Sequence, residues 1–297
     1  MPQAQANTIS LEYESFGDAS APTILLIMGL SSQLTAWPVP FCTGLADKGF
    51  HVVRYDNRDA GLSTRFDGVR VPAPLGAIAK QPEKYRDQIP YTLDDMARDA
   101  VGLLDALNVE RAHVVGASMG GMIAQLVAAD HPHRVRSLTS IMSTSGDPAL
   151  PQTDEEVVAH MFRGHPRSAR IEDVVDYHVR TLRLIGSPKY PVREEVLRER
   201  VRQDLQRAYY PQGFVRQRAA ILACGSRVDA LKRIDTPTLV IHGAADRLVP
   251  VSGGEDTARH IAGARLEIIG GMGHDLPVRL IPRFVELIAA HAQAATA

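Results

Sequence analysis

Residues 112–121 read AHVVGASMGG, and the fold turns on how that stretch is parsed. Apart from His113, residues 112–117 are small or β-branched, the composition of a strand buried on both faces. Residues 122–129, MIAQLVAA, continue as an apolar helix. Between them stands Gly116-Ala117-Ser118-Met119-Gly120, a G-x-S-x-G sequence at a strand-to-helix turn. So sharp a turn forces its central residue into a strained backbone and needs glycine on either side. The segment lacks the Lys-Ser/Thr of a P-loop and the glycine spacing of a dinucleotide fingerprint. Its serine would sit at a helix N-terminus, where free N–H groups favour developing negative charge.

Working outward, strand-like runs at residues 23–28 (TILLIM), 51–55 and 135–142 alternate with helical stretches. Thr92 heads a helix to about Asn108, with Asp94 and Asp95 in its first turn suiting the helix dipole. Such alternation predicts an α/β fold with a mostly parallel sheet flanked by helices. The rhythm breaks after Ser143. Residues 146–227 hold four helix-like stretches and no strand, with breakers at Gly164-His165-Pro166, Gly186-Ser187-Pro188 and Tyr210-Pro211-Gln212-Gly213. Strands then return at 238–242 and 266–269, and residues 282–290 close the chain as a helix. The expected organisation is a core of residues 1–145 and 228–297 carrying an inserted helical cap of residues 146–227.

A serine hydroxyl needs a base, and the base needs an orienting acid. At this kind of elbow the acid precedes the histidine in the chain. Residues 243–250, GAADRLVP, follow one late strand and carry Asp246; residues 270–277, GGMGHDLP, follow the next and carry His274. Loops beyond the carboxyl ends of strands are where open α/β sheets gather their ligand sites. Asp147, Asp256 and Asp275 are rival acids, of which Asp147 is the most serious; His242, at a strand end, reads as structural. One oxyanion donor is expected from the N–H of Met119, and the other from the loop after the first core strand, at Leu30. Trp37 and Leu34 on that loop, Leu248, and Met161 and Phe162 in the insertion are candidate pocket residues, with Trp37 taken as a substrate contact.

GASMGG, GAADRLVP and GMGHDLP together resemble the α/β-hydrolase superfamily over nearly the whole chain. LLIMGLSSQLTAWP (25–38), VVRYDNRDAGLS (52–63) and GGMGHDLP look most like the branch containing aclacinomycin methylesterase, which cleaves a methyl ester on a polyketide. The resemblance implies a serine esterase in which Ser118, Asp246 and His274 form the triad and Leu30 and Met119 the oxyanion hole. It also implies that the inserted helices cap the site. Met28 stands where many members have histidine, and Asn57-Arg58-Asp59-Ala60-Gly61 replaces a commoner Asp-x-Arg-Gly-x-Gly run. The core motifs carry the resemblance, so it extends to the chemistry and not to the polyketide.

Composition bounds the rest. Of 297 residues, 45% are apolar and 23% charged, with a net charge of −1, an ordinary globular balance. That balance gives no reason to expect nucleic acid or an acidic membrane surface as a partner. The two cysteines, Cys42 and Cys224, are far apart and match no metal-ligand spacing. No run approaches the roughly 18 apolar residues of a membrane span, and residues 1–10 do not resemble a signal peptide, so a cytoplasmic protein is expected. The partner is a small-molecule ester, no metal or cofactor is called for, and the sequence gives no reading of oligomeric state. The same machinery would serve a carbon–carbon bond hydrolase or a cofactor-free perhydrolase, and a non-enzymatic ligand-binding protein is the remaining alternative.

Overall fold

The computed structural model describes residues 2–162 and 170–295. The breaker at Gly164, His165 and Pro166 lies outside the described residues, as does the side chain of Phe162. The backbone of the fold is an eight-stranded sheet: β1 (Gln3–Ala6), β2 (Ile9–Phe16), β3 (Thr23–Ile27), β4 (His51–Tyr55), β5 (Ala112–Ala117), β6 (Val135–Ile141), β7 (Thr238–Gly243) and β8 (Arg265–Ile269). Their order is β1-β2-β4-β3-β5-β6-β7-β8. β1 with β2 and β2 with β4 are antiparallel, and every later pairing is parallel.

Side chains alternate across a strand, so a sheet covered on both faces needs strands apolar at every position. β3 meets this need: Leu25 and Ile27 join one core with Val53, Tyr55 and Val114, while Ile24 and Leu26 join the other with Val52 and Val115. The expected strands at 23–28, 51–55, 112–117, 135–142, 238–242 and 266–269 are all present within two residues. The antiparallel pair β1 and β2 carries no such signal. β1 is QAQA, and of the eight residues of β2 only Ile9, Leu11 and Glu12 are buried.

Helices α1 (Val39–Asp47), α2 (Leu75–Lys80), α3 (Pro82–Tyr85), α4 (Leu93–Ala106) and α5 (Met119–Asp130) occupy the first half. Thr92 starts α4 through a capping box: its hydroxyl accepts from Asp95 N–H while the Asp95 carboxylate accepts from Thr92 N–H. Between β6 and β7 come α6 (Glu155–Phe162), α7 (Ile171–Ile185), α8 (Glu194–Arg207), α9 (Pro211–Cys224) and the single turn α10 (Val228–Leu231). α11 (Ser252–His260) and α12 (Ile281–Ala294) complete the chain. No described helix is long and apolar enough to cross a membrane.

Two regions join the inserted helices to the sheet. α9 buries Ala219, Ala220 and Ala223 in the main core. It also lies against the loop that follows β4, so closely that a Cβ on Gly213 would stand 2.0 Å from the Asp59 carbonyl oxygen. In that loop, Asp59 accepts two hydrogen bonds from the Arg216 guanidinium at 2.7 and 3.0 Å, one from the Tyr91 hydroxyl at 2.6 Å and one from Phe66 N–H at 2.8 Å. Arg58 pairs with buried Asp99 at 2.6 Å, and Arg207 of α8 reaches Asp56 at 2.8 Å. The loop of residues 56–61, which includes the Asn57–Gly61 stretch that differs from the commoner superfamily run, is therefore the joint between sheet and insertion.

Breaking one partner of a buried ion pair strands the other charge, at a cost of roughly 3–5 kcal/mol. Asp59→Ala is expected to lower the urea-unfolding free energy by about that amount, and a loss below about 1 kcal/mol would show that Arg216 finds other partners.

Candidate active site

The elbow has the geometry its glycines demand. Ser118 sits at φ 56° and ψ −121°, between the end of β5 and the first residue of α5. Its N–H donates to Ile141 O of β6 at 2.9 Å, and its carbonyl accepts from Gly121 and Met122 N–H and from the Ser143 hydroxyl. A Cβ on Gly116 would fall 2.1 Å from Gly120 O, and one on Gly120 would fall 2.0 Å from Ile27 O. Nothing larger than hydrogen fits at either position. The helix is thus pressed against the ends of two strands, which presents the serine side chain at the top of the sheet.

His274 and Asp246 arrive on the loops beyond β8 and β7. His274 Nε2 lies 2.9 Å from Ser118 Oγ, and its Nδ1 lies 2.7 Å from Asp246 Oδ2. The carboxylate's other oxygen accepts from Leu248 and Val249 N–H, both at 2.9 Å. Fully buried His242 stands behind it, with Nε2 at 2.9 Å from Val249 O and 3.5 Å from Asp246 Oδ2. Burial pushes the Asp246 carboxyl up, but the His274 charge, the hydrogen bonds from His242 and His274 and the Val249 N–H together outweigh it, leaving the pKa at about 2. The rival acids are engaged elsewhere: Asp256 with Ser145 and Arg259, and Asp147 with the N–H of Ala149.

Gly29 packs against Ser118, since a Cβ there would lie 3.0 Å from Ser118 Cβ and 3.5 Å from its Oγ. Leu30 therefore enters the site directly beside the serine. Among the described residues no hydrogen bond uses the N–H of Leu30 or of Met119. Both are left open to an acceptor at Ser118.

Ser118, His274, Leu30 and Asp275 line a cavity of about 340 Å³ roofed by the inserted helices. α7 contributes Tyr177, Thr181 and Leu182, α8 Arg200 and Val201, and α9 Phe214. Leu248 and Met161 line it as expected. Trp37 and Leu34 do not. Trp37 is fully buried with the Phe41 ring tilted against it at 5.0 Å and Phe41 in turn against Phe284, so its side chain is core and the expected substrate contact is corrected. Leu34 is equally buried, and its N–H is held by Asp56. With a 3-10 turn starting at Leu34, both side chains are buried in the interior rather than along the cavity.

Reading the sequence missed Asp275, set aside as a rival acid. Burial raises its carboxyl, against the hydrogen bond from Ser187 and the charges of His274 and Arg200. The Ser187 hydroxyl donates to Asp275 and accepts from Gly273 N–H at 2.8 Å, and His274 N–H donates to Ile185 O at 2.7 Å. The end of α7 thus holds the loop that bears the histidine. The signal was only the Gly186-Ser187-Pro188 breaker, which marks a turn without naming what it binds.

The family model for the alpha/beta hydrolase fold matches residues 22–278. The chain belongs to that family and is a hydrolase. It is 30% identical over 308 residues to rhodomycin D methylesterase of Streptomyces sp. (strain C5), covering 97% of this chain and 96% of the relative. It is 29% identical over 198 residues to 2-hydroxymuconate semialdehyde hydrolase of Pseudomonas sp. (strain CF600), covering 67% of this chain and 68% of the relative. A solved meta-cleavage product hydrolase from Pseudomonas fluorescens IP01 shares the fold with a TM-score of 0.79, over 99% of this chain and 98% of that one, at 21% identity.

The Asp246 pairing carries a sign that can be measured. The carboxyl has a lower pKa when folded, about 2 against an ordinary 3.8. Its stabilisation is therefore complete above 3.8 and is lost as pH falls through about 2, amounting to about 2 kcal/mol. The difference in unfolding free energy between wild type and Asp246→Asn should shrink by about that much from pH 5 to pH 2, whereas a constant difference would contradict the pairing.

Proposed function

We propose that the chain is a carboxylic ester hydrolase working through a covalent acyl-enzyme on Ser118. The observation that carries the reading is the continuous hydrogen-bonded chain Ser118–His274–Asp246 at the floor of a roofed cavity. His274 takes the hydroxyl proton as Ser118 attacks the ester carbonyl. The oxyanion rests on the N–H groups of Leu30 and Met119, each such donor being worth about 3–4 kcal/mol in the transition state. The alcohol departs with the proton from His274, and water releases the acid by the same route. Asp246 holds the imidazole with its Nε2 lone pair toward Ser118 and stabilises the imidazolium. No step calls on a metal or an organic cofactor.

The preferred substrate is a small to medium ester with apolar groups, methyl esters included. Support comes from the apolar side chains Met161, Leu182, Val201 and Phe214 around the cavity and from the methylesterase relative. Residues 146–227 act as the cap that selects it. A carbon–carbon bond hydrolase is the second reading, favoured by the 2-hydroxymuconate semialdehyde hydrolase relative. Both use the same nucleophile.

A fluorophosphonate should label Ser118 in the wild type. Ser118→Ala should lose that adduct and at least ~10³-fold of the hydrolysis of short p-nitrophenyl esters. A wild type that takes no label would end the serine reading. A labelled enzyme that cleaves a vinylogous 1,5-diketone and no ester in a panel varied in acyl and alcohol size would decide for carbon–carbon cleavage.

A further inference from the structure

We infer that Gln217 is a positioning residue for the oxyanion loop, a role that rests on the esterase reading above. Gln217 is on α9, is fully buried and does not line the cavity. Its amide spans two loops. The Oε1 accepts from Ser31 N–H at 2.7 Å, and the Nε2 donates to Arg58 O at 2.7 Å. Ser31 directly follows Leu30, whose N–H is the proposed donor, and it adopts φ 59°. A residue other than glycine pays for that conformation, so the loop needs an external tie to keep it.

The tie is anchored on something rigid. α9 is fixed on the loop after β4 by the close seat of Gly213 on Asp59 O and by the paired hydrogen bonds of Arg216 to Asp59. From there Gln217 reaches Ser31, and the amide cannot turn over without facing oxygen to the Arg58 carbonyl and N–H to the Ser31 N–H. Further along, Gln33 Nε2 donates to the Asp204 and Ala208 carbonyls at 2.6 and 3.1 Å, at the end of α8. The loop is thus held by the insertion on its outer side and by Ser118 on its inner side. An oxyanion donor lowers the barrier only if it already points where charge will develop. Gln217 supplies that pre-orientation without touching substrate.

A ground-state contact would appear in KM, whereas a pre-orienting tie appears in kcat. Gln217→Met keeps the length of the side chain and removes both hydrogen bonds. It should lower kcat for p-nitrophenyl butyrate ten- to a hundredfold, with KM within threefold of wild type. Affinity for a trifluoromethyl ketone, which forms a tetrahedral oxyanion on Ser118, should weaken by the same factor as kcat. A kcat within twofold of wild type, or a loss confined to KM, overturns the proposal. Should Gln217→Met fail to fold, Gln217→Glu replaces it: losing the Arg58 contact should lower kcat at least threefold at constant KM, and an unchanged kcat overturns the role. Fluorophosphonate labelling of wild-type Ser118 is the control. Its absence defeats the esterase reading itself, whereas its presence beside an unaffected Gln217→Met defeats the positioning role alone.

Discussion

The contact on which the rest depends is the one between α5 and the end of β3, where only a hydrogen on Gly120 separates the helix from the Ile27 carbonyl. That approach keeps Ser118 at a positive φ, with its side chain raised above the sheet and its carbonyl tied to the helix and to Ser143. The cost of the strained residue is met by the packing of β5 between β3 and β6, with Val114 buried in one core and Val115 in the other. Because parallel strands all end on the same side, the loops after β3, β7 and β8 then deliver Gly29, Asp246 and His274 to the same place.

Around this floor the inserted helices do more than cover. The end of α7 binds the loop of His274 through Ile185 and Ser187, and α9 binds the loop of Leu30 through Gln217. Polar groups at the joint are buried and matched one to another, as a low-dielectric interior requires. Asp56, Arg58 and Asp59 face three different elements and leave little room for the roof to shift without breaking a charged pair.

The parallel strands could be read from residue order because their doubly buried faces leave unbroken apolar runs such as TILLI. The candidate site could be read because a serine, an acid and a histidine stand in that order at strand ends, and Ser118, Asp246 and His274, after β5, β7 and β8, are found within hydrogen-bonding distance. β1, at the sheet edge, and β2 beside it escaped because partly exposed strands carry mixed side chains whose pairing is settled by their neighbours. Trp37 was misplaced for a related reason. A large aromatic near a site satisfies a pocket and a core equally well on paper, and only the direction taken by the chain after Gln33 puts it in the core. Gln217 and Ser187 were invisible because a single polar side chain bonding to distant backbone leaves no periodicity and no motif.

The hydrogen bond from His274 N–H to Ile185 O bears on how such enzymes diversify. An insertion that merely sat on the sheet could be exchanged between relatives as a cassette, taking specificity with it. Here the cassette's own backbone is one of the supports of the His274 loop. A chimera carrying a foreign roof would inherit a new binding surface together with a misaligned imidazole. Side chains on the inner faces of α7 and α8 could change without touching these supports, whereas the C-terminal end of α7 and the seat of α9 are fixed points of the architecture.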